Sequence, residues 1–208
     1  SITAKLTANL LEKSGVDRVL AMDLHSAQIQ GYFDIPCDHI YGSPVLIDYL
    51  ETLDLEEVVV VSPDVGGVAR ARAFAKLMKD APLAIIDKRR SAHNIAESLT
   101  VIGEVKGKTA ILIDDMIDTG GTICSGANLL KKEGANRIFA CASHAVFSPP
   151  SYERLSTKNL FEQVIVTNSI PVIHKDNFPQ LKVLSVANML GEAIWRIHEE
   201  SSVSSMFR

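Results

Sequence analysis

The residues best suited to chemistry lie in one stretch, TAILIDDMIDTGGTICSG, which covers residues 109–126. An apolar strand runs into Asp114 and Asp115, and a glycine-rich turn then enters a helix. Glycine lets the backbone approach a ligand closely, and the first N–H groups of a helix are unpaired. These N–H groups, with the hydroxyls of Thr119 and Thr122, are therefore predicted to hold a phosphate monoester. Asp114 and Asp115 would accept hydrogen bonds from the hydroxyls of a sugar on the same ligand.

A purely structural interpretation of this turn is an Asp or Thr that caps the helix N-terminus. One residue suffices for a cap, whereas the turn and the strand before it carry five polar residues of this kind, which favours a ligand. The stretch is not a Walker phosphate-binding loop, because no Gly-Lys-Ser or Gly-Lys-Thr follows the glycines.

A second glycine-rich turn occurs in SPDVGGVARARAFA, where Asp64 ends a strand and Gly66 and Gly67 precede a helix. The pattern predicts another anion-binding turn, with Asp64 as an oxygen ligand for Mg²⁺. Arg70 and Arg72 fall in or near the first turns of this helix. Solvated arginines behind an ordinary helix start remain the alternative.

Three cations, Lys88, Arg89 and Arg90, follow the next apolar run in IIDKRRSAHN. Such a run is typical of a solvated loop. Beside two anion-binding turns, it also fits a mobile cationic loop that meets the charge developing on phosphate oxygens during phosphoryl transfer.

Acidic residues surround a histidine in MDLHSAQIQGYFDIPCDH. His25 lies just past a strand, with Asp23 before it and Asp34 and Asp38 after it. A metal or nucleotide-phosphate role is one interpretation, and a structural histidine is the other. The spacing matches no zinc pattern, which needs a closed set of histidines and cysteines.

Apolar runs predict seven strands, and helical patterns alternate with them, so the fold class is α/β with a parallel sheet. The strands are predicted at 18–24, 58–64, 83–87, 109–115, 137–143, 163–169 and 182–186. Six of these runs end in polar or acidic residues. Because ligands bind beyond the carboxyl ends of strands in such sheets, all six polar ends are expected on one rim.

Composition limits the partners of the chain. With 208 residues and a net charge of −4, it is not expected to bind nucleic acid, which requires clustered Lys and Arg, and its apolar runs are too short to span a membrane. Cys37, Cys124 and Cys141 form no CxxC pair, which is typical of free thiols. The chain has no initiator Met or leader and begins inside a predicted amphipathic helix, so we expect a piece of a longer protein.

The segments DLHSAQIQGYFDIPCD, SPDVGGVARA, DKRRSAHNIAE, IDDMIDTGGT and SVSSMF together resemble the ribose-phosphate pyrophosphokinases, or phosphoribosyl pyrophosphate synthetases, especially plant enzymes of the phosphate-dependent class. The resemblance covers essentially the whole chain. It implies a type I phosphoribosyltransferase-like fold in a two-domain family whose first domain is mostly missing here. Residues 1–41 would be a remnant of that domain and 42–186 the second domain. Residues 187–208 would be a helix and tail that return to the first domain or to a subunit contact.

The family transfers the pyrophosphoryl group of ATP to the C1 hydroxyl of ribose 5-phosphate. The products, 5-phosphoribosyl 1-pyrophosphate and AMP, serve nucleotide, histidine and tryptophan biosynthesis. The resemblance implies Mg²⁺ as cofactor and inorganic phosphate as activator. It also implies a homo-oligomer, a hexamer built from dimers, in the cytoplasm or the plastid stroma.

The resemblance also assigns a role to each matching position. Lys88 and Arg90 would be catalytic, and Ser202 and Ser204 would form a regulatory phosphate or ADP site. The ribose 5-phosphate site would comprise Asp114, Asp115, Asp118, Thr119, Gly120, Gly121 and Thr122. Magnesium–ATP would contact His25, Asp64, Gly66 and Gly67, and the metal set would be His25, Asp64, Asp23, Asp34 and Asp38.

Two other functions remain open. A non-catalytic homologue that binds synthetase subunits is one, although intact Lys88, Arg90, His25 and Asp64 argue against it. A salvage phosphoribosyltransferase is the other, and its reaction would not depend on ATP. If the chain is a truncated synthetase, we expect it to be inactive or poorly soluble by itself.

Overall fold

The computed structural model describes residues 2–89, 98–173 and 178–207. The α-helices in this part of the chain are α1 (Ile2–Lys13), α2 (Ser43–Glu51), α3 (Val68–Leu77), α4 (Gly121–Lys132), α5 (Ser151–Leu155) and α6 (Ala187–His198). The strands are β1 (Val19–Met22), β2 (Cys37–Ile40), β3 (Val58–Ser62), β4 (Leu83–Arg89), β5 (Ser98–Ile102), β6 (Thr109–Ile117), β7 (Arg137–Ala145), β8 (Gln163–Thr167) and β9 (Leu181–Leu184). Short 3₁₀ helices lie at Ala27–Tyr32 and Ser204–Phe207. None of the described helices combines the length and the apolar character that a membrane crossing needs.

The chain divides into two compact units. The small unit comprises Ser1–Pro44 and Val186–Arg208, and the large unit comprises Val45–Ser185. Their assignment to domains of a longer family member stays a prediction.

The small unit is built on two parallel strands, β1 and β2, with Met22 opposite Ile40. Ile40, Ala193 of α6 and Val203 of the tail form its buried core. Both ends of the sequence therefore contribute to one cluster of apolar side chains.

The large unit contains a seven-stranded sheet in the order β5-β4-β3-β6-β7-β8-β9. Its strands are parallel except for β5, which runs antiparallel to β4 at one edge. Helices between parallel strands cover the sheet, as the crossover connections require. The predicted α/β class with a mostly parallel sheet is confirmed.

Alternate side chains of β6 belong to different apolar clusters, because successive residues of a strand point to opposite faces. Leu112 belongs to a cluster with Leu130 of α4. Ile111 belongs to another with Leu50 of α2 and Phe74 of α3. A strand that is buried on both faces has a continuous run of apolar residues, which explains why the central strands could be predicted from the sequence.

All seven predicted strands are present with slightly shifted ends, and four helices and strands were missed, namely β2, β5, α2 and α5. β2 has one buried residue among four, and β5 is an antiparallel edge strand, so neither carries a continuous apolar run. α2 begins at Ser43 and Pro44, residue types that are also common in turns, so its start is not evident from the sequence. Proline is favoured in the first turn of a helix because its missing N–H is not needed there.

Two expectations about polar strand ends are wrong. The end at Asp23 follows β1, which belongs to the two-stranded sheet of the small unit, so six such ends do not share one sheet. Lys88 and Arg89 do not follow a strand but lie within β4, where Lys88 is opposite Leu99 of β5. Backbone pairing with β5 extends the strand beyond the apolar run. Arg90 and the rest of the predicted mobile loop, up to residue 97, lie outside the described residues.

Candidate functional site

The glycine turn before α4 forms an open helix N-terminus. Gly120 occupies the N-cap position with a φ of 73°, in the left-handed region. Within the described chain no side chain makes a capping hydrogen bond there, so the capping alternative for Asp118 or Thr119 does not hold. The first N–H groups of a helix lack carbonyl partners within the helix and carry its positive dipole end. An anion can accept hydrogen bonds from them.

Close packing explains why glycines form this turn. A Cβ on Gly120 would lie 3.3 Å from Cγ of Leu155, and one on Gly121 would lie 3.4 Å from Nη1 of Arg154. A side chain on Gly120 would also be strained by its positive φ. The polar side chains of the turn that face solvent are those of Asp118, Thr119 and Thr122.

Two carboxylates and one guanidinium converge just before the turn. Nη1 of Arg70, from α3, lies 3.2 Å from Oδ1 of Asp114 and 3.1 Å from Oδ1 of Asp115. The backbone N–H of Asp115 also donates to Oδ1 of Asp114, at 2.9 Å. The side chain of Asp115 is 2% exposed and that of Asp114 is 22% exposed, so a ligand can reach Asp114 more easily.

The environment raises the pKa of Asp114 to about 7. Burial is the main cause, and the side-chain hydrogen bond and the charge of Asp115 act in the same direction. The backbone hydrogen bond from Asp115 and the charge of Arg70 lower the pKa but do not cancel these effects. The pair thus has one guanidinium for two carboxyls. Its oxygens are suited to accept hydrogen bonds from ligand hydroxyls or to bind Mg²⁺, which takes oxygen ligands.

The turn between β3 and α3 is ordered by its own residues. Oδ1 of Asp64 accepts a hydrogen bond from the N–H of Gly67 at 2.8 Å, and Ser62 Oγ donates to the carbonyl oxygen of Asp64 at 2.7 Å. A Cβ on Gly67 would lie 2.9 Å from Ser62 Oγ, which requires glycine there, and one on Gly66 would lie 3.3 Å from Oδ1 of Asp64. Asp64 is exposed. Its role as a magnesium ligand, and the ATP role of Gly66 and Gly67, stay predictions.

The side chain of Lys88 is exposed on β4. Arg90, its predicted catalytic companion, lies outside the described residues. The catalytic roles of both stay predictions.

Two of the predicted metal ligands in the small unit form ion pairs with separate cations. Asp34 Oδ2 lies 2.9 Å from Nζ of Lys5, and Asp38 Oδ2 lies 2.7 Å from Nε of Arg18. The side chain of Asp34 is 79% exposed, so its pair is well solvated.

Asp23 and His25 differ in exposure. Asp23 is buried and its Oδ2 accepts a hydrogen bond from the N–H of Gly42 at 2.7 Å, whereas His25 is exposed. Across residues 2–89, 98–173 and 178–207, no three His, Cys, Asp or Glu side chains form a group that could hold a metal ion. The metal set that includes Asp23 and His25 stays a prediction.

The predicted regulatory serines lie together on the tail. The hydroxyls of Ser202 and Ser204 are 3.0 Å apart, and both residues are exposed. Nη1 of Arg196 donates to the carbonyl oxygen of Ser202 at 3.2 Å and to Oγ of Ser205 at 2.6 Å. Nε of Arg196 also pairs with Oε1 of Glu192 at 2.6 Å, so its charge at this cluster is partly balanced. The regulatory role of the serines stays a prediction.

The structure adds two arginines that the sequence did not assign. Arg70 was noted beside a glycine turn, but its contact with Asp114 spans 44 positions. Arg154 donates from Nη1 to the carbonyl oxygen of Thr119 at 3.1 Å, across 35 positions. Nothing in the local pattern around Arg154 indicates this contact, because it depends on the packing of α5.

Comparison with known proteins gives a consistent result. Residues 89–208 match the model of a family described as the phosphoribosyl synthetase-associated domain. The chain is 95% identical over 208 residues to a ribose-phosphate pyrophosphokinase of Prochlorococcus marinus subsp. pastoris. It is 64% identical over 210 residues to ribose-phosphate pyrophosphokinase 1 of Spinacia oleracea. The resemblance to plant enzymes is thus weaker than that to the Prochlorococcus protein.

A solved structure agrees with these relatives. The crystal structure of phosphoribosylpyrophosphate synthetase from Mycobacterium smegmatis is 44% identical and superimposes with a TM-score of 0.89, covering 97% of this chain and 65% of that chain. The chain spans 63% of the length of the Prochlorococcus protein and 62% of the spinach protein.

Proposed function

The chain belongs to the family described as the phosphoribosyl synthetase-associated domain, and from that premise we propose that it acts as a ribose-phosphate pyrophosphokinase. Ribose 5-phosphate reacts through its C1 hydroxyl oxygen, which forms a bond to the β-phosphorus of ATP. The bond from that phosphorus to the oxygen bridging the α- and β-phosphates breaks, and the hydroxyl proton is released. The products are 5-phosphoribosyl 1-pyrophosphate and AMP, which feed nucleotide and amino-acid biosynthesis.

The observation that supports this function most is the uncapped start of α4 directly after the Asp114–Asp115 pair. A sugar phosphate needs an anion site at one end and hydrogen-bond acceptors for its hydroxyls. The N–H groups of Gly121 and Thr122 meet the first need, and the carboxyls of Asp114 and Asp115 meet the second. Both come from the continuous segment of β6, the turn and α4, so their spacing is fixed by the backbone.

Charge compensation for the triphosphate comes from several groups. Asp64 beside one glycine turn and Asp114 beside the other each offer a carboxylate to Mg²⁺ carried by the phosphates, and Mg²⁺ when bound neutralises negative charge on them. The exposed ammonium of Lys88 pairs with charge that develops on the transferred group. In the small unit, His25 keeps the role in magnesium–ATP binding that the family resemblance implies.

Regulation and assembly follow the family in this proposal. Inorganic phosphate binds as activator at Ser202 and Ser204, whose hydroxyls lie 3.0 Å apart on the tail. The assembly is a homo-oligomer.

The test is a coupled assay on a chimera in which this chain replaces the matching 208 residues of the Prochlorococcus relative. With ribose 5-phosphate, ATP, Mg²⁺ and phosphate, we expect AMP and 5-phosphoribosyl 1-pyrophosphate to form, and only when both substrates are present. Phosphoribosyl transfer without ATP would instead indicate a salvage enzyme. No reaction in the chimera would indicate a non-catalytic homologue. The 208-residue chain alone, assayed in parallel, is expected to be inactive or much weaker.

Lys88→Ala in the chimera tests the proposed chemistry. We expect kcat to fall by about 10²–10³, the scale of losing one group that stabilises transition-state charge, while the Kd for ribose 5-phosphate is unchanged. Lys132→Ala, which removes an exposed lysine at the end of α4, is the matched control. Unchanged turnover in the Lys88 variant would remove this residue from the mechanism.

A further inference from the structure

The short helix α5 packs against the glycine turn before α4. Leu155 is fully buried, and its Cγ lies 3.3 Å from the place where a Cβ on Gly120 would be. The ring of Tyr152 packs edge-on against Phe147, with the ring centroids 5.2 Å apart. These two contacts anchor α5 on both sides of Arg154.

Arg154 fixes one peptide group of the turn. Its Nη1 donates to the carbonyl oxygen of Thr119 at 3.1 Å. The peptide between Thr119 and Gly120 is trans, and a trans peptide holds its C=O and N–H in opposite directions. The hydrogen bond therefore directs the N–H of Gly120 away from the guanidinium and sets the orientation with which the backbone enters α4.

The charge of Arg154 also acts on the first turn of α4. Its Nη1 lies 3.4 Å from the place where a Cβ on Gly121 would be. Burial raises the pKa of Cys124 to about 11, and the charge of Arg154 acts in the opposite direction, because a nearby cation stabilises the thiolate. The guanidinium thus adds positive potential to that of the helix dipole.

We propose that Arg154 is a positioning residue for the phosphate group of the substrate. It holds the Thr119 carbonyl and places a positive charge at the start of α4, so it acts through the turn. The inference rests on the proposed function, because it requires that this turn binds phosphate. A lysine at position 154 keeps the charge but lacks the planar array of donors, so it should replace Arg154 only in part.

The test compares Arg154→Gln, Arg154→Lys and Lys158→Gln in the full-length chimera. Lys158 is exposed, and its replacement changes the net charge as Arg154→Gln does. For Arg154→Gln we expect the KM and the calorimetric Kd for ribose 5-phosphate to rise about tenfold, the scale of a lost hydrogen bond from a charged donor, with the KM for ATP unchanged. Arg154→Lys should fall between the wild type and Arg154→Gln, and Lys158→Gln should match the wild type.

An equal Kd for ribose 5-phosphate in the wild type and Arg154→Gln would overturn the proposal. An equal rise in the KM of both substrates would also overturn it, since that is the result of general damage to the fold. So would an Arg154→Lys variant as weak as Arg154→Gln, because the charge would then contribute nothing. If the wild-type chimera itself binds no ribose 5-phosphate, the proposed function fails, which distinguishes that failure from a failure confined to Arg154.

Discussion

The acidic residues of the small unit and those of the large unit are held in different ways. In the small unit, Asp34 and Asp38 each pair with a cation of their own. In the large unit, Asp114 and Asp115 share the guanidinium of Arg70, and Asp115 is almost fully buried. Carboxylates with separate, solvated partners contribute little to stability and need no ligand to explain them.

The difference favours the Asp114–Asp115 pair over the acidic residues of the small unit as the candidate ligand site. Burying two carboxyls beside each other is costly, and this cost appears as the raised pKa of Asp114. The same segment then leads into a helix N-terminus without a side-chain cap. Charged groups that lie together and do not fully neutralise one another indicate a ligand site. A high number of acidic residues in a segment does not indicate one.

Two glycines with positive φ, one in each unit, provide the strongest contrast. Gly120 has a φ of 73° and packs on Leu155, whereas Gly15 has a φ of 97° and nothing within 4 Å of its missing Cβ. In the chimera, Gly120→Ala should lower kcat/KM for ribose 5-phosphate about a hundredfold, because strain of roughly 1–2 kcal/mol and the contact with Leu155 together displace the turn. Gly15→Ala carries similar backbone strain but should leave kcat/KM unchanged. Equal losses in the two variants would contradict a specific role for the turn at Gly120.

Asp114→Asn should change how stability depends on pH. Asp114 has a pKa of about 7 in the folded chain against 3.8 for an ordinary carboxyl, so the folded state holds this proton more tightly. Its contribution to stability is complete below pH 3.8 and is lost as the pH rises to about 7, because only the unfolded state ionises in that window. Between pH 4 and pH 7 the Tm of the wild type should therefore fall more than the Tm of Asp114→Asn. The variant has no carboxyl at this position, so it lacks the group whose ionisation favours the unfolded state.

Asp34→Asn is the control for that experiment, since it removes a carboxyl of the small unit and leaves Asp114 in place. Its Tm should follow the wild-type dependence on pH. If the Tm of Asp114→Asn also followed the wild-type dependence on pH, the effect could not come from Asp114.

The smallest effect is expected for the stability of Asp34→Asn itself. The pair with Lys5 is solvated, so its loss should change the free energy of unfolding by less than about 1 kcal/mol. If Asp34 binds the metal as predicted, the Asp34→Asn variant should also need a higher Mg²⁺ concentration for half-maximal activity. Measuring both quantities in the chimera separates the two, and an unchanged Mg²⁺ requirement would leave Asp34 with its ion pair alone.

Local patterns in the sequence were sufficient for the central sheet and for the turn at Gly120. Buried parallel strands read as apolar runs, and a Gly-Gly turn after a strand has few alternatives. The edge strand β5 was missed because it pairs antiparallel with β4 and carries no continuous apolar run, and this pairing extends β4 to include Lys88. The helix α2 was also missed, because Ser43 and Pro44 at its start are residue types that occur equally in turns.

The arginines of the site could not be predicted for a different reason. The contacts of Arg70 with Asp114 and of Arg154 with Thr119 join residues far apart in the chain. Each depends on how a helix, α3 or α5, packs within the large unit, and a local pattern does not carry that information. In the small unit, the sequence pattern likewise did not indicate the ion-pair partners of Asp34 and Asp38, which are Lys5 and Arg18.

NMR on the isotopically labelled chimera tests most directly whether the start of α4 binds phosphate. Backbone amide signals of Gly120, Gly121 and Thr122 would be followed during titration with ribose 5-phosphate and, separately, with ribose. We expect these signals to shift with ribose 5-phosphate and to remain in place with ribose, because the helix N-terminus binds the phosphate group. Equal shifts with both sugars, or shifts with ribose 5-phosphate that leave these three amides unchanged, would contradict a phosphate site at this turn.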